Sequence, residues 1–217
     1  MRFSFNVGGV ILRHILDLYA GLGGLSEAFL DDWSVLRIDS NILLTDVPNM
    51  FIADINRLDI HEANGLEATQ SIDLVVGGPP CLEFSNGYNA PKIRARRAGE
   101  SYYPHEGMKN VKRFLHFVNT IKPKYWLMEN VIGSIEYISD LEHNGKKLGK
   151  PRQIIGSHCF WGNFPIMDAA DYVRVRKDNK SSGTDPLSVQ KRGLVPLSIS
   201  QALKKAIESQ VSILEYC

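Results

Sequence analysis

Five short apolar runs, each breaking off at a glycine, a proline or an acidic residue, constrain the fold of this chain more than any other feature. His14-Ile15-Leu16-Asp17-Leu18-Tyr19 runs into Ala20-Gly21-Leu22-Gly23-Gly24. Val35-Leu36-Arg37-Ile38 stops at Asp39, and Met50-Phe51-Ile52-Ala53 stops at Asp54. Ile72-Asp73-Leu74-Val75-Val76 breaks at Gly77-Gly78-Pro79-Pro80, and Tyr125-Trp126-Leu127-Met128 ends at Glu129-Asn130. Apolar runs with little polar alternation predict strands buried on both faces, as in a parallel sheet covered by helices. The fold class is therefore α/β, a doubly wound and mostly parallel sheet. In such open sheets ligands bind at the C-terminal strand edge, where Asp17, Asp39, Asp54, Cys81 and Glu129 would gather.

The intervening segments fill in the layers. Leu25, Ala28 and Phe29 share a helical face after the glycine run. The polar, basic stretch from Asn86 to Pro104 has the length and composition of a mobile loop, and residues 171–193 read as irregular. From Ser198 onward, Ile199, Leu203, Ala206 and Ile207 recur at helical spacing and predict a closing amphipathic helix. Three cysteines without metal-ligand spacing argue against a disulfide framework and for a reduced compartment, with no metal. No apolar run is long enough for a membrane span, and Arg13 and His14 interrupt the start as a signal peptide, so a cytoplasmic protein is expected. The net charge of +1 means that any contact with nucleic acid must come from local positive clusters.

Three strand ends carry the chemistry. The glycine turn after the first run lets backbone approach a ligand closely. Gly77-Gly78-Pro79-Pro80-Cys81 is the most specific stretch: two prolines stiffen the backbone just past a buried strand and present a thiol at the ligand edge. Glu129-Asn130-Val131 supplies a carboxyl group at another strand end, and Asn130 suits a helix cap.

Together these residues resemble the cytosine-5 DNA methyltransferase family. DLYAGLGGL is similar to its cofactor loop, GGPPC to its nucleophile turn and ENV to its acidic strand end, in the family's order. LEFSNGYNAP, YWLMENVIGS and HCFWGNFP extend the likeness to a small subgroup, so that it covers roughly Ile15 to Pro165. Further on it thins, although GLVPLSISQALKKAI looks like the family's closing segment.

The resemblance implies an S-adenosylmethionine-dependent, Rossmann-like methyltransferase fold and that cofactor. Cofactor contacts would come from Asp17, Leu18, Tyr19, Ala20, Gly21, Gly23, Gly24, Leu25, Asp39, Asp54, Ile55 and Pro79. Asp39 would accept from ribose hydroxyls and Asp54 from the adenine amino group, with Ile55 on the ring. Cys81 would attack carbon 6 of a cytosine flipped out of duplex DNA. Glu129 would hold the ring N3 and exocyclic amine, with Pro80 and Asn130 framing the pair and Arg152 near the base. Phosphate contacts are expected from Ser85, Lys92, Arg94, Arg96 and Arg97, and from Arg174 and Arg176. A catalytic core over 1–165, a short polar region over 166–197 as a reduced target-recognition segment, and a closing helix over 198–217 complete this layout.

Two departures stand out. The family usually has glutamine after the nucleophile, where Leu82 stands here, and its recognition region is larger than residues 166–197 allow. Other readings therefore stay open beside DNA methylation: the same chemistry on transfer RNA, or a silent cofactor-fold subunit or decoy. A second protein supplying target recognition belongs with the leading reading.

Overall fold

The computed structural model describes residues 13–59, 72–172 and 185–214. All five apolar runs are strands: β1 (His14–Leu18), β2 (Ser34–Asp39), β3 (Met50–Ile52), β4 (Leu74–Gly77) and β5 (Tyr125–Val131). They pair in parallel in the order β3-β2-β1-β4-β5. Two further strands, β8 (Gln153–Ile155) and β9 (His158–Asn163), extend this sheet to seven, with β9 antiparallel to β5. A separate two-stranded hairpin joins β6 (Glu142–His143) to β7 (Lys146–Lys147). The chain order reverses between β1 and β4, the kind of switch point at whose C-terminal edge open α/β sheets bind ligands.

Alternate residues of each strand feed two apolar layers. On one face Leu16, Leu18, Val75, Trp126 and Met128 pack with Val111, Phe114 and Val118 of α2 (His105–Ile121). On the other, Ile15, Val35, Leu74, Val76 and Leu127 pack with Ile199, Leu203 and Ile207 of α5 (Leu197–Leu214) and with Phe29 and Trp33. Gly77 lets these layers close up, since a Cβ there would stand 2.5 Å from the Leu18 carbonyl and 2.8 Å from the Phe114 ring. Among the described residues no helix is long and apolar enough to cross a membrane.

Three local expectations change. The stretch 86–104 is not a loop throughout: Pro91–Ala98 forms helix α1, with Pro91 in its first turn and Gly99 in the left-handed conformation at its C-terminal end. Proline at a helix start and glycine just past its end are the ordinary punctuation of a helix, outweighed in the sequence by the density of charge. No residue of α1 is buried, so this segment lies outside the core, as its composition implies. Within 171–193, Ser188–Gly193 forms a short helix, α4, which follows the short helix α3 (Ile135–Ile138) in chain order. After the glycine run there is a single 3-10 turn, Glu27–Phe29, because the chain must return at Trp33, whose amide donates to the Phe29 carbonyl at 3.0 Å.

Candidate active site

The glycine turn leaves β1 through left-handed residues at Tyr19, Gly21 and Gly23. It is fastened from beneath by Arg37 of β2, which is fully buried. Nε of Arg37 donates to Ser26 Oγ at 2.8 Å, and Nη2 donates to the Gly23 carbonyl at 3.1 Å and to Glu27 at 2.7 Å. Ser26 Oγ in turn donates to Asp17 Oδ2 at 2.7 Å. β1 and β2 pair Asp17 directly with Arg37, so both side chains emerge on the α5 face. Burial pushes the Asp17 carboxyl up to about 7, against the opposing pull of the Ser26 hydrogen bond and the Arg37 charge. This corrects Asp17 as a side-chain ligand of the cofactor: it is 1 % exposed and belongs to the foundation of the loop. Leu18, Leu25 and Ile55 likewise have core side chains.

Above this foundation the turn remains accessible. Asp39 Oδ2 accepts from the Gly21 amide at 3.0 Å, which places the β2 carboxylate against the turn. A Cβ at Gly21 would meet nothing within 4 Å, so open space lies over it. Tyr19 reaches across to α2, its hydroxyl donating to the Asn110 carbonyl at 3.3 Å, and burial raises its phenol above the ordinary range. Asp54, at the end of the β3 segment, is exposed and closes a local turn onto the Asn56 amide.

The second half of the site lies at β4 and β5. Pro79 is buried and its carbonyl accepts from Asn130 Nδ2 at 3.1 Å, locking the Pro-Pro turn to the end of β5. Cys81 follows, partly exposed, as the lead residue of the 3-10 turn Leu82–Phe84. Phe84 is fully buried, and Glu83 accepts from the Gly107 amide at 2.7 Å in the first turn of α2, a favourable place for a carboxylate. Glu129 lies beside this turn: a Cβ at Gly78 would stand 3.5 Å from its Oε2. Its other oxygen, Oε1, is 2.7 Å from His158 Nδ1 on β9. Cys159 points the opposite way into the core, and burial pushes its thiol up to about 11, with Glu129 nearby adding to the rise.

The basic residues divide. Arg94, Arg96 and Arg97 are exposed on α1, and Arg97 stacks on Tyr88 at 4.1 Å while donating to its carbonyl. Lys92 is a correction: its ammonium donates to the Gly133 carbonyl and pairs with Glu136, so it pins α1 to the chain after β5. Arg152 is another: its Nε donates to the Phe164 carbonyl at 2.7 Å, past the end of β9 opposite His158. That geometry carries the guanidinium away from the edge that holds Glu129. Ser85 closes a local turn onto the Gly87 amide. Arg174 and Arg176 lie outside the described residues. Among the described residues no three His, Cys, Asp or Glu side chains gather as a metal ion would require.

Comparison with known proteins decides the family. The model for C-5 cytosine-specific DNA methylase matches residues 13–140, which include the glycine turn, the Cys81 turn and Glu129. The chain belongs to the C-5 cytosine-specific DNA methylase family. Type II methyltransferase M.HgiGI of Herpetosiphon aurantiacus is 34% identical over 54% of this chain and 88% of its own length. M.DdeI of Desulfomicrobium norvegicum is 28% identical over 59% of this chain, and M.AquIA of a Picosynechococcus species is 28% identical over 74%. The shares of those two relatives that are covered are 32% and 66%, so the chain spans about a third of M.DdeI. A putative DNA modification methyltransferase encoded within a prophage of E. coli aligns over 58% of this chain and 34% of its own, at 21% identity and a TM-score of 0.43.

Within the family site, sequence reasoning missed Arg37, Ser26, Glu83 and His158. Arg37 was hidden inside an apolar run, though a lone arginine in a doubly buried strand is itself a signal that a partner waits beneath. His158 and Glu83 had no such mark, because their partners come from elements far along the chain.

Proposed function

We propose that this chain methylates carbon 5 of cytosine in DNA, with S-adenosylmethionine as donor and Cys81 as nucleophile. The observation that carries the reading is the juxtaposition of the Cys81 turn with the Glu129 carboxylate at the sheet edge where the glycine turn of the neighbouring strand β1 also ends. The turn suits the cofactor: open space over Gly21 admits a ligand against the backbone, and Asp39 stands ready for its hydroxyls. Tyr19, Ala20, Gly21, Gly23, Gly24 and Asp39 would hold it, with Asp54 at the outer end. Bound there, S-adenosylmethionine supplies an electrophilic methyl group.

Cys81, as thiolate, adds to carbon 6 of the base and makes carbon 5 enamine-like, dividing a difficult step into easier ones. Glu129 holds N3 and the exocyclic amine, so that the ring accepts the electron pair that Cys81 delivers. Asn130 and Pro80 keep the thiol and the carboxylate at a set separation through the Pro79 carbonyl. After methylation, loss of the carbon-5 proton restores the double bond and expels Cys81. Arg94, Arg96 and Arg97 contact phosphates beside the flipped base, with Ser85 at the turn.

The test is transfer of labelled methyl to mixed unmethylated DNA, with transfer RNA in parallel and Cys81→Ala as control. Label in DNA that vanishes in Cys81→Ala, with cofactor still bound, is the expected result. Label confined to RNA, or label that survives Cys81→Ala, would overturn it.

A further inference from the structure

The His158 ring touches the Glu129 carboxylate, and nothing in the chemistry above uses it. β5 and β9 pair Val131 with His158 and Glu129 with Phe160, so Glu129 and His158 stand on one face of the sheet, one step apart across the ladder. Strand alternation sends the neighbours Cys159 and Trp161 to the opposite layer. The Glu129 and His158 side chains are 11% and 14% exposed, and the imidazole stacks on Phe160 with ring centres 6.4 Å apart. Two strands and an aromatic ring therefore hold the imidazole, while Nδ1 stands 2.7 Å from Oε1. The second carboxylate oxygen, Oε2, remains turned toward Gly78 and the Cys81 turn.

We infer that His158 is a positioning residue for Glu129. Nδ1–H donates to Oε1, selects one carboxylate rotamer and directs Oε2 at the base. The inference rests on Glu129 as the ring-binding carboxylate. A glutamate rotates about three side-chain bonds, and holding it in the productive geometry before the base arrives lowers the cost of assembling the reacting groups. A neutral imidazole is sufficient, because only one ring nitrogen has to donate.

The test compares His158→Ala, His158→Asn and His158→Gln. Asparagine places its amide NH2 close to where Nδ1 stands, whereas glutamine carries the same group one bond further out. In His158→Ala, kcat for DNA should fall about 100-fold, the scale of a reacting group misplaced by an ångström, with cofactor affinity and melting temperature near wild type. His158→Asn should recover most of the rate and His158→Gln little of it. Wild-type kcat in His158→Ala, or equal rates in the asparagine and alanine variants, would overturn the proposal. Nitrogen-15 NMR of the imidazole decides the pair without turnover. Nδ1 should carry a proton in the wild type and lose its distinctive shift in Glu129→Ala, and an unprotonated Nδ1 in the wild type would overturn the contact. If the wild type labels no DNA at all, the proposed function fails while the NMR result still judges the pair.

Discussion

At the β1 end of the sheet edge, the glycine turn is fastened from below by one guanidinium that solvent cannot reach, whereas at the β5 end the nucleophile turn is fastened by separate pairwise contacts of an asparagine, a lysine and a histidine. Arg37 is fully buried and engages Gly23, Ser26 and Glu27 together, with the Pro48 carbonyl at 3.3 Å. Opposite it, Asn130 ties Pro79, Lys92 ties Gly133, and His158 ties Glu129. One buried guanidinium with several partners is costly to remove, because each partner loses a donor at once, so it suits a loop that must be preformed for a small ligand. At the β5 end the Lys92–Glu136 pair has a half-exposed carboxylate, and exposed pairs rearrange at lower cost, which suits the outer surface that must admit a duplex.

The largest expected consequence of that contrast is at Arg37. Arg37→Met removes a donor at once from the buried Gly23 carbonyl, from the Ser26 hydroxyl and from Glu27, and should lower stability by about 3–5 kcal/mol in chemical denaturation. Glu129→Gln should leave stability within about 1 kcal/mol while sharply reducing methyl transfer. Equal losses of stability in the two variants would erase the contrast.

A second comparison sets two left-handed glycines against each other. At Gly23, φ is 81° and a Cβ would overlap the Arg37 guanidinium; at Gly99, φ is 71° and nothing lies within 4 Å. Gly99→Ala should cost about 1 kcal/mol from backbone strain alone. Gly23→Ala should cost more, about 2–3 kcal/mol, and should also weaken cofactor binding measured by calorimetry. Similar costs, with cofactor affinity untouched, would mean that the loop does not lean on Arg37.

The pH dependence sharpens the same point. Burial raises the Asp17 carboxyl from 3.8 to about 7, so the folded chain keeps a proton there that the unfolded chain has released. The Asp17 contribution to stability is then greatest below about pH 4, declines as pH rises toward 7, and is level above that. The stability of wild type relative to Asp17→Asn should fall across that interval in thermal melts at stepped pH. A constant difference would show that the carboxyl ionises normally. The smallest effect is at the outer surface: Arg94→Ala should reduce the salt slope of DNA binding by about 1. Lys92→Ala should leave that slope unchanged, because its ammonium is already committed to Gly133 and Glu136.

Helix α1 and strand β9 show why some of this was legible in the sequence and some was not. The strands inside the sheet declared themselves because a strand covered on both faces is mostly apolar, whereas β3 lies at the edge with Phe51 exposed, against the expectation that it is buried on both faces. The glycine turn and the Pro-Pro-Cys turn did so because few residues tolerate those backbone paths. Helix α1 escaped because Lys92, Arg94, Arg96 and Arg97 read as a solvated loop, although Pro91 and Gly99 bracket a helix. β9 escaped because His158-Cys159-Phe160-Trp161 mixes polar and aromatic residues without a clear period, and only pairing with β5 makes it a strand.

By itself the sequence determined the parallel core, the edge at which polar residues collect and the residues offered there: Cys81, Glu129, Asp39 and the glycine turn. Those follow from local rules, in which apolar length sets a strand and glycine or proline sets its end. Tertiary structure alone decided which charges are foundations and which are working groups. Asp17 and Lys92 are offered by the sequence as ligand contacts, yet each engages an internal partner, as does Arg37 inside its apolar run, while His158, unmarked in the sequence, stands against Glu129. The role of a charge depends on what lies within about 3 Å of it, and those neighbours come from strands and helices whose approach only the folded chain settles.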